Sequence, residues 1–138
     1  MGLILDTAAL IALERSRSGR DAVNLDSKQI YALPAIGWAE ALVGVRMAAD
    51  PSHAARRLAR LEAIRRITGI EDFTDAVAEH YADIFAPLSR NGTLIPKNDI
   101  AVAATARRLD FGVLVGPKDE AYFRRISGLD VQVLGAAP

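Results

Sequence analysis

Short apolar runs alternate with longer amphipathic segments along this chain, and the runs carry no polar alternation of their own. Leu3-Ile4-Leu5, Ile30-Tyr31-Ala32, Ile67 to Ile70, Val113-Leu114-Val115 and Val131-Gln132-Val133-Leu134 read as strands. Runs of this kind suit a parallel sheet covered on both faces. Between them, helical spacing predicts helices from Asp6-Thr7 to about Glu14, from Pro34 to about Ala49, and from about His53 to Arg66. Further helices are predicted from about Thr74 to Arg90, Asn98 to Leu109, and Glu120 to Ile126. Ser16 to Arg20 reads as a polar connection, with a short helix following to about Asn24. Asp50-Pro51-Ser52 separates the second and third long helices, which predicts an antiparallel hairpin over about 35–66. Asn91-Gly92 is a C-cap signal, Pro87 should kink or end the helix before it, and a stop is expected near Gly112. Strands alternating with helices imply an α/β fold with a short, mostly parallel sheet between helical layers. No repeat, linker or low-complexity tract interrupts the 138 residues, so one domain over 1–138 is expected.

Four carboxylates stand where packing alone would not put them. Asp6 follows the first apolar run and Asp119 the fourth. Both belong to the carboxyl ends of strands, where open α/β sheets bind ligands. On a helix, Glu40 shares a stripe with Ile36, Val43 and Met47, and glutamate is rarely buried without a partner. Asp99 opens an alanine-rich helix with Ala103 and Ala106 on its own face, which would let the helix pack close to the sheet. Asn98 beside it is the expected helix cap, leaving Asp99 as a surplus acid. Helix capping is the structural alternative for Asp6 and Asp119, and an arginine ion pair for Glu40. Carboxylates gathered at one sheet edge repel one another unless a cation sits between them.

Composition narrows the cation. There is no cysteine, and His53 and His80 have no ligand-like spacing. Thiolate zinc sites and disulfides are excluded, and a metal held by oxygen points to Mg²⁺, with Mn²⁺ as the alternative. Apolar residues make up 51% and charged residues 25%, with a net charge of zero, so bulk charge selects no partner. Apart from Lys28, Lys97 and Lys118 the basic residues are arginines and the two histidines. Lys97, Lys118, Arg124 and Arg125 are candidates for phosphate contacts. Arg56, Arg57, Arg60, Arg65 and Arg66 are expected on an exposed helix face, and Trp38 and Tyr31 in the core. The N-terminal run is broken by Asp6 and lacks a basic lead-in, so no signal peptide or membrane span is expected, and a cytoplasmic location is.

The segments LILDTAALIALE, ALPAIGWAEALVGVRMA, IPKNDIAVAATARRLDFGVLVG and KDEAYFRRISGLDVQVL resemble, in order and spacing, the successive signatures of the PIN domain. Within it they are similar to the VapC toxins of type II toxin–antitoxin pairs. The resemblance implies a three-layer PIN-like fold and a metal-dependent ribonuclease leaving a 3′-hydroxyl and a 5′-phosphate. It also implies a homodimer and a small VapB-type antitoxin that blocks the site. The family's acidic quartet maps onto Asp6, Glu40, Asp99 and Asp119, with Asp6 and Asp99 as metal ligands. Glu40 would complete the site directly or through water, and Asp119 would anchor a second ion or position the attacking water. The family usually carries Thr or Ser just before the fourth acid, whereas this chain reads Gly116-Pro117-Lys118-Asp119, and the adjacent Glu120 competes for the position. A non-catalytic PIN-like interaction module is the alternative. A phosphoacceptor receiver domain needs an acidic pair that the strand ends lack. A two-aspartate phosphatase fails because the second position is Ala8.

Overall fold

In the computed structural model, which describes residues 1–16 and 25–135, β1 (Leu3–Leu5) lies at the centre of a five-stranded sheet. The other strands are β2 (Tyr31–Pro34), β3 (Ile70–Glu71), β4 (Gly112–Val115) and β5 (Val131–Val133). Their order is β3-β2-β1-β4-β5, and every neighbouring pair is parallel. Leu3, Ile4 and Leu5 of β1 lie beside Gly112, Val113 and Leu114 of β4. Six helices complete the order: α1 (Thr7–Glu14), α2 (Ala35–Met47), α3 (Pro51–Thr68), α4 (Asp75–Arg90), α5 (Lys97–Leu109) and α6 (Glu120–Arg124). The predicted short helix to Asn24 lies outside the described residues.

Successive side chains of a strand point to opposite faces, so an unbroken apolar run feeds two cores. Leu3, Leu5, Leu33 and Leu114 pack with Leu10, Leu13, Ala41, Val45, Leu61 and Ile64 of α1, α2 and α3. Ile4, Ala32, Val113, Val115 and Val131 pack on the other face with Val77, Ile84, Ile100, Val102 and Phe123 of α4, α5 and α6. The three-layer expectation holds, and Trp38 and Tyr31 pack against the first of these cores as expected.

Helix ends follow side-chain chemistry. Asp50 accepts from the Ser52 amide at 3.0 Å with Pro51 in the first turn of α3, and Thr74 accepts from the Val77 amide at 3.3 Å at the start of α4. Three expectations need correction. First, α3 runs through Ile67 to Thr68, and Gly69 at φ 68° ends it, leaving only Ile70–Glu71 for β3. Second, α5 is stopped by Asp110, which takes a left-handed φ of 56°. Gly112 instead belongs to β4, where a Cβ would lie 2.9 Å from the Asp130 carbonyl oxygen. Third, Pro87 does not end α4, which runs three residues further to Arg90: proline lacks only its own N–H, and the turn after it closes through the Asn91 amide on the Pro87 carbonyl at 3.1 Å.

Chain connections from β1 lead to β2 and β3 on one side, while β4 and β5 lie on the other. The loops leaving β1 and β4 therefore diverge, and a crevice opens beyond their carboxyl ends. Among the described residues, no helix is long and apolar enough to cross a membrane.

Candidate metal centre

The crevice is a cavity of about 630 Å³ whose lining includes Asp6, Thr7, Glu40, Lys97, Asp99 and Asp119. All four predicted carboxylates therefore line one cavity, although they come from four different elements.

Asp6 sits where β1 becomes α1, its backbone amide still bonded to the Leu114 carbonyl at 3.0 Å. Its side chain is both a cap and a site group. Oδ1 accepts from the Ala9 amide at 2.7 Å and the Gly116 amide at 3.3 Å, while Oδ2 is buried without a partner. Burial pushes this carboxyl up to about 6, with the charges of Asp119 and Glu40 adding to it and the two amide bonds opposing.

Asp99 is the third residue of α5. Pro96 caps that helix without a side-chain bond, and Asn98 is exposed, so the predicted Asn98 cap does not form. The tight packing of α5 is as expected, with Ala103 and Ala106 fully buried. Asp99 Oδ2 is buried and unpartnered. Burial, then the charges of Asp119, Asp6 and Glu40, push its carboxyl up to about 7.

Glu40 reaches the cavity by a different route from the predicted stripe. Val43 and Met47 are 60% and 79% exposed, and the buried face of α2 is Gly37, Ala41 and Val45. Small residues let α2 approach its neighbours closely, and Glu40 lies at the edge of that contact. Its Oε1 accepts a 2.6 Å hydrogen bond from the Thr7 hydroxyl.

Asp119 is carried by a tight turn. The Asp119 amide donates to the Gly116 carbonyl at 3.1 Å, with Pro117 in the position that its fixed φ favours. The residues that depart from the family pattern are those that build this turn. A Cβ on Gly116 would lie 2.8 Å from the Ala8 Cβ, so β4 and α1 meet here without a side chain between them. Gly116→Val is expected to destabilise the fold by about 1–3 kcal/mol through overpacking, read as a lower melting temperature. Glu120 is tied to Arg124 at 2.6 Å and does not line the cavity, so Asp119 is the fourth acid there.

Among the described residues, none of the four carboxylates makes an ion pair. The arginine partner considered for Glu40 is thus not present among them. Of the candidate phosphate contacts, only Lys97 lines the cavity. Lys118 is exposed, Arg124 is held by Glu120, and Arg125 lies 5.8 Å over the Tyr122 ring. The arginine face of α3 also divides: Arg56, Arg65 and Arg66 are exposed, but Arg57 turns inward to Glu14 at 3.0 Å. Sequence reading missed Glu14, whose only signal is its place two turns after Thr7 on the same face of α1.

Asp6 and Asp99 therefore line a cavity of like charge while each keeps a buried oxygen without a partner, and hard oxygen donors suit a divalent cation. Among the described residues no three acidic or histidine side chains converge on one point. An ion here would draw on one or two carboxylates, with water completing its shell. Without a cation, the strain has a measurable signature. Both pKa values are raised from an ordinary 3.8. The folded state then binds protons more tightly than the unfolded chain, so the destabilising contribution is absent below about pH 4 and complete above about pH 7. In metal-free protein, the melting temperature of Asp99→Asn minus that of the wild type should be near zero at pH 4 and grow up to pH 7. A flat difference would contradict it.

Comparison with known proteins identifies the family. Residues 3–129 match the PIN domain family. The chain is 32% identical over 133 residues to the protein named ribonuclease VapC from Rickettsia bellii, with 95% of each covered. The fold superposes on a VapBC2 complex from Rickettsia felis bound to a promoter DNA fragment, with a TM-score of 0.81 at 20% identity, covering 96% of this chain and 98% of that one. It superposes on DNA-bound VapBC from Salmonella typhimurium with a TM-score of 0.78 at 24% identity and the same coverage. On the family match over residues 3–129 and the likeness over 95% of its length, the chain belongs to the PIN-domain family and, within it, to the VapC ribonucleases.

Proposed function

We propose that the chain, as a single domain over residues 1–138, is the toxin of a type II toxin–antitoxin pair. It is a Mg²⁺-dependent ribonuclease that hydrolyses RNA phosphodiester bonds and is neutralised by a VapB-type antitoxin. One observation carries the reading: Asp6 and Asp99, each with a buried, unpartnered Oδ2, line a single cavity with two more carboxylates. The ribonuclease name of the relative at 32% identity supports it.

Asp6 and Asp99 hold the ion, for which Mn²⁺ can substitute. When bound, Mg²⁺ supplies Lewis acidity that stabilises charge on the phosphoryl and leaving oxygens. The protein's own groups do the rest. The Thr7 hydroxyl fixes Glu40 through Oε1, leaving Oε2 to complete the site directly or through water. Asp119 completes the acidic wall from the end of the neighbouring strand β4, where it would anchor a second ion or position the attacking water. Lys97, on the cavity rim, offsets the repulsion between that wall and an incoming phosphate. The functional unit is a homodimer in the cytoplasm.

The test is to map 5′-phosphate ends in cellular RNA after expressing the protein. Ends concentrated at defined positions, and missing with Asp99→Asn, are expected. Random ends, identical in that control, would refute the toxin function.

A further inference from the structure

Arg57 of α3 joins α1 and α2, the helices that carry Thr7 and Glu40 of the site. Its Nε donates to Glu14 Oε1 at 3.0 Å, and the two side chains are 11% and 1% exposed. Arg60, one turn along, reaches the Glu14 carbonyl oxygen at 3.5 Å. On α2, the Arg57 guanidinium lies against Gly44, where a Cβ would stand 3.3 Å from Nη2 and 3.5 Å from Nη1. The α1–α2 interface is therefore held at two levels. At the cavity, Thr7 of α1 donates to Glu40 of α2. Two turns down α1 and one turn down α2, Glu14 and Gly44 enclose the guanidinium.

Stability is a weak reason for such a pair. Desolvating two charges offsets most of their attraction, and apolar side chains of similar volume commonly do as well or better. Direction is what an ion pair adds, because the planar guanidinium accepts few geometries. We infer that the Glu14–Arg57 pair, seated on Gly44, is a positioning device that sets α2 against α1 so that Glu40 meets Thr7 at the cavity. Neither residue lines the cavity. Both are positioning residues, acting through Glu40. The placement of Glu40 stands on geometry alone, and only its catalytic consequence rests on the ribonuclease function.

The experiment compares wild type with Glu14→Met/Arg57→Met, which replaces the pair by apolar volume, and with Gly44→Ala, which displaces the guanidinium by a few tenths of an ångström. Melting temperature, the ¹³C resonance of the Glu40 side-chain carboxyl in metal-free protein, and kcat and KM on RNA are measured. The double variant should melt within a few degrees of wild type. Its Glu40 resonance should move toward that of a solvated glutamate, and kcat should fall at least tenfold with KM changed less than threefold. Gly44→Ala should move the resonance in the same direction by less, and it decides the matter if the double variant does not fold. A Glu40 resonance unchanged in a folded variant overturns the inference. Wild-type protein that cleaves no RNA would refute the ribonuclease function instead, and leave the resonance as the test of positioning.

Discussion

Replacing Asp99 by asparagine is expected to lower the rate of RNA cleavage by about a thousandfold while the metal-free protein becomes more heat-stable at pH 8. The two effects share one cause. Asp99 Oδ2 is buried without a partner and is surrounded by Asp119, Asp6 and Glu40. Its negative charge is unfavourable in the empty cavity and favourable once a cation is there. Losing one preorganised electrostatic contact in a site of this kind typically costs about 10²–10³ in rate, and an ion ligand belongs at the upper end. In the opposite direction, removing the charge relieves a burial penalty and, after it, repulsion, together worth about 1–2 kcal/mol after allowance for the partial solvent contact of the side chain. That corresponds to roughly 3–8 °C. Saturating Mg²⁺ should then raise the melting temperature of wild type but hardly that of the variant, because only the wild type gains a strong ligand. Scanning calorimetry with and without Mg²⁺, beside a cleavage time course, reads both effects. A variant that is slower and also less stable in the metal-free state would mean that Asp99 supports the fold rather than the ion.

The largest effect on stability is expected from Arg57→Met alone. Removing one partner of a buried pair leaves the other as an uncompensated charge, which typically costs about 3–5 kcal/mol. Glu14 is 1% exposed, and its Oε2 has no partner among the described residues. The single variant should melt well over ten degrees below wild type, while the double variant with Glu14→Met recovers most of the loss. A single variant as stable as wild type would show that Glu14 is not held by Arg57.

Much of this arrangement was legible in the sequence, and the reasons are local. Leu3-Ile4-Leu5 and Val113-Leu114-Val115 announce themselves because a strand buried on both faces needs no polar residue. Asp6 and Asp119 could be placed because each directly follows such a run or its turn. Glu40 was found for a reason that did not hold. Hydropathy favours the large side chains Val43 and Met47, but α2 packs through Gly37 and Ala41, whose small size permits close approach and whose hydropathy is weak. Asn98 looked like the cap of α5, yet the helix begins one residue earlier after Pro96, which fixes the chain without a side-chain bond. The Glu14–Arg57 pair lies 43 residues apart in sequence. No periodicity within α1 or α3 could reveal it, because each partner alone looks like an ordinary helix-surface charge. The turn that delivers Asp119 was visible as Gly116-Pro117, and the missing hydroxyl with it, but that Asp119 lines the cavity while Glu120 turns to Arg124 needed the folded chain.

The most direct measurement is cleavage of a mixed RNA substrate by purified protein with Mg²⁺, with EDTA, and with Asp6→Asn and Asp99→Asn in place of wild type. Cleavage that requires Mg²⁺, leaves 5′-phosphate ends and is lost in both variants is the result predicted by an acidic cavity that works by holding a cation. Equal cleavage by wild type and both variants, or cleavage undiminished in EDTA, would contradict it.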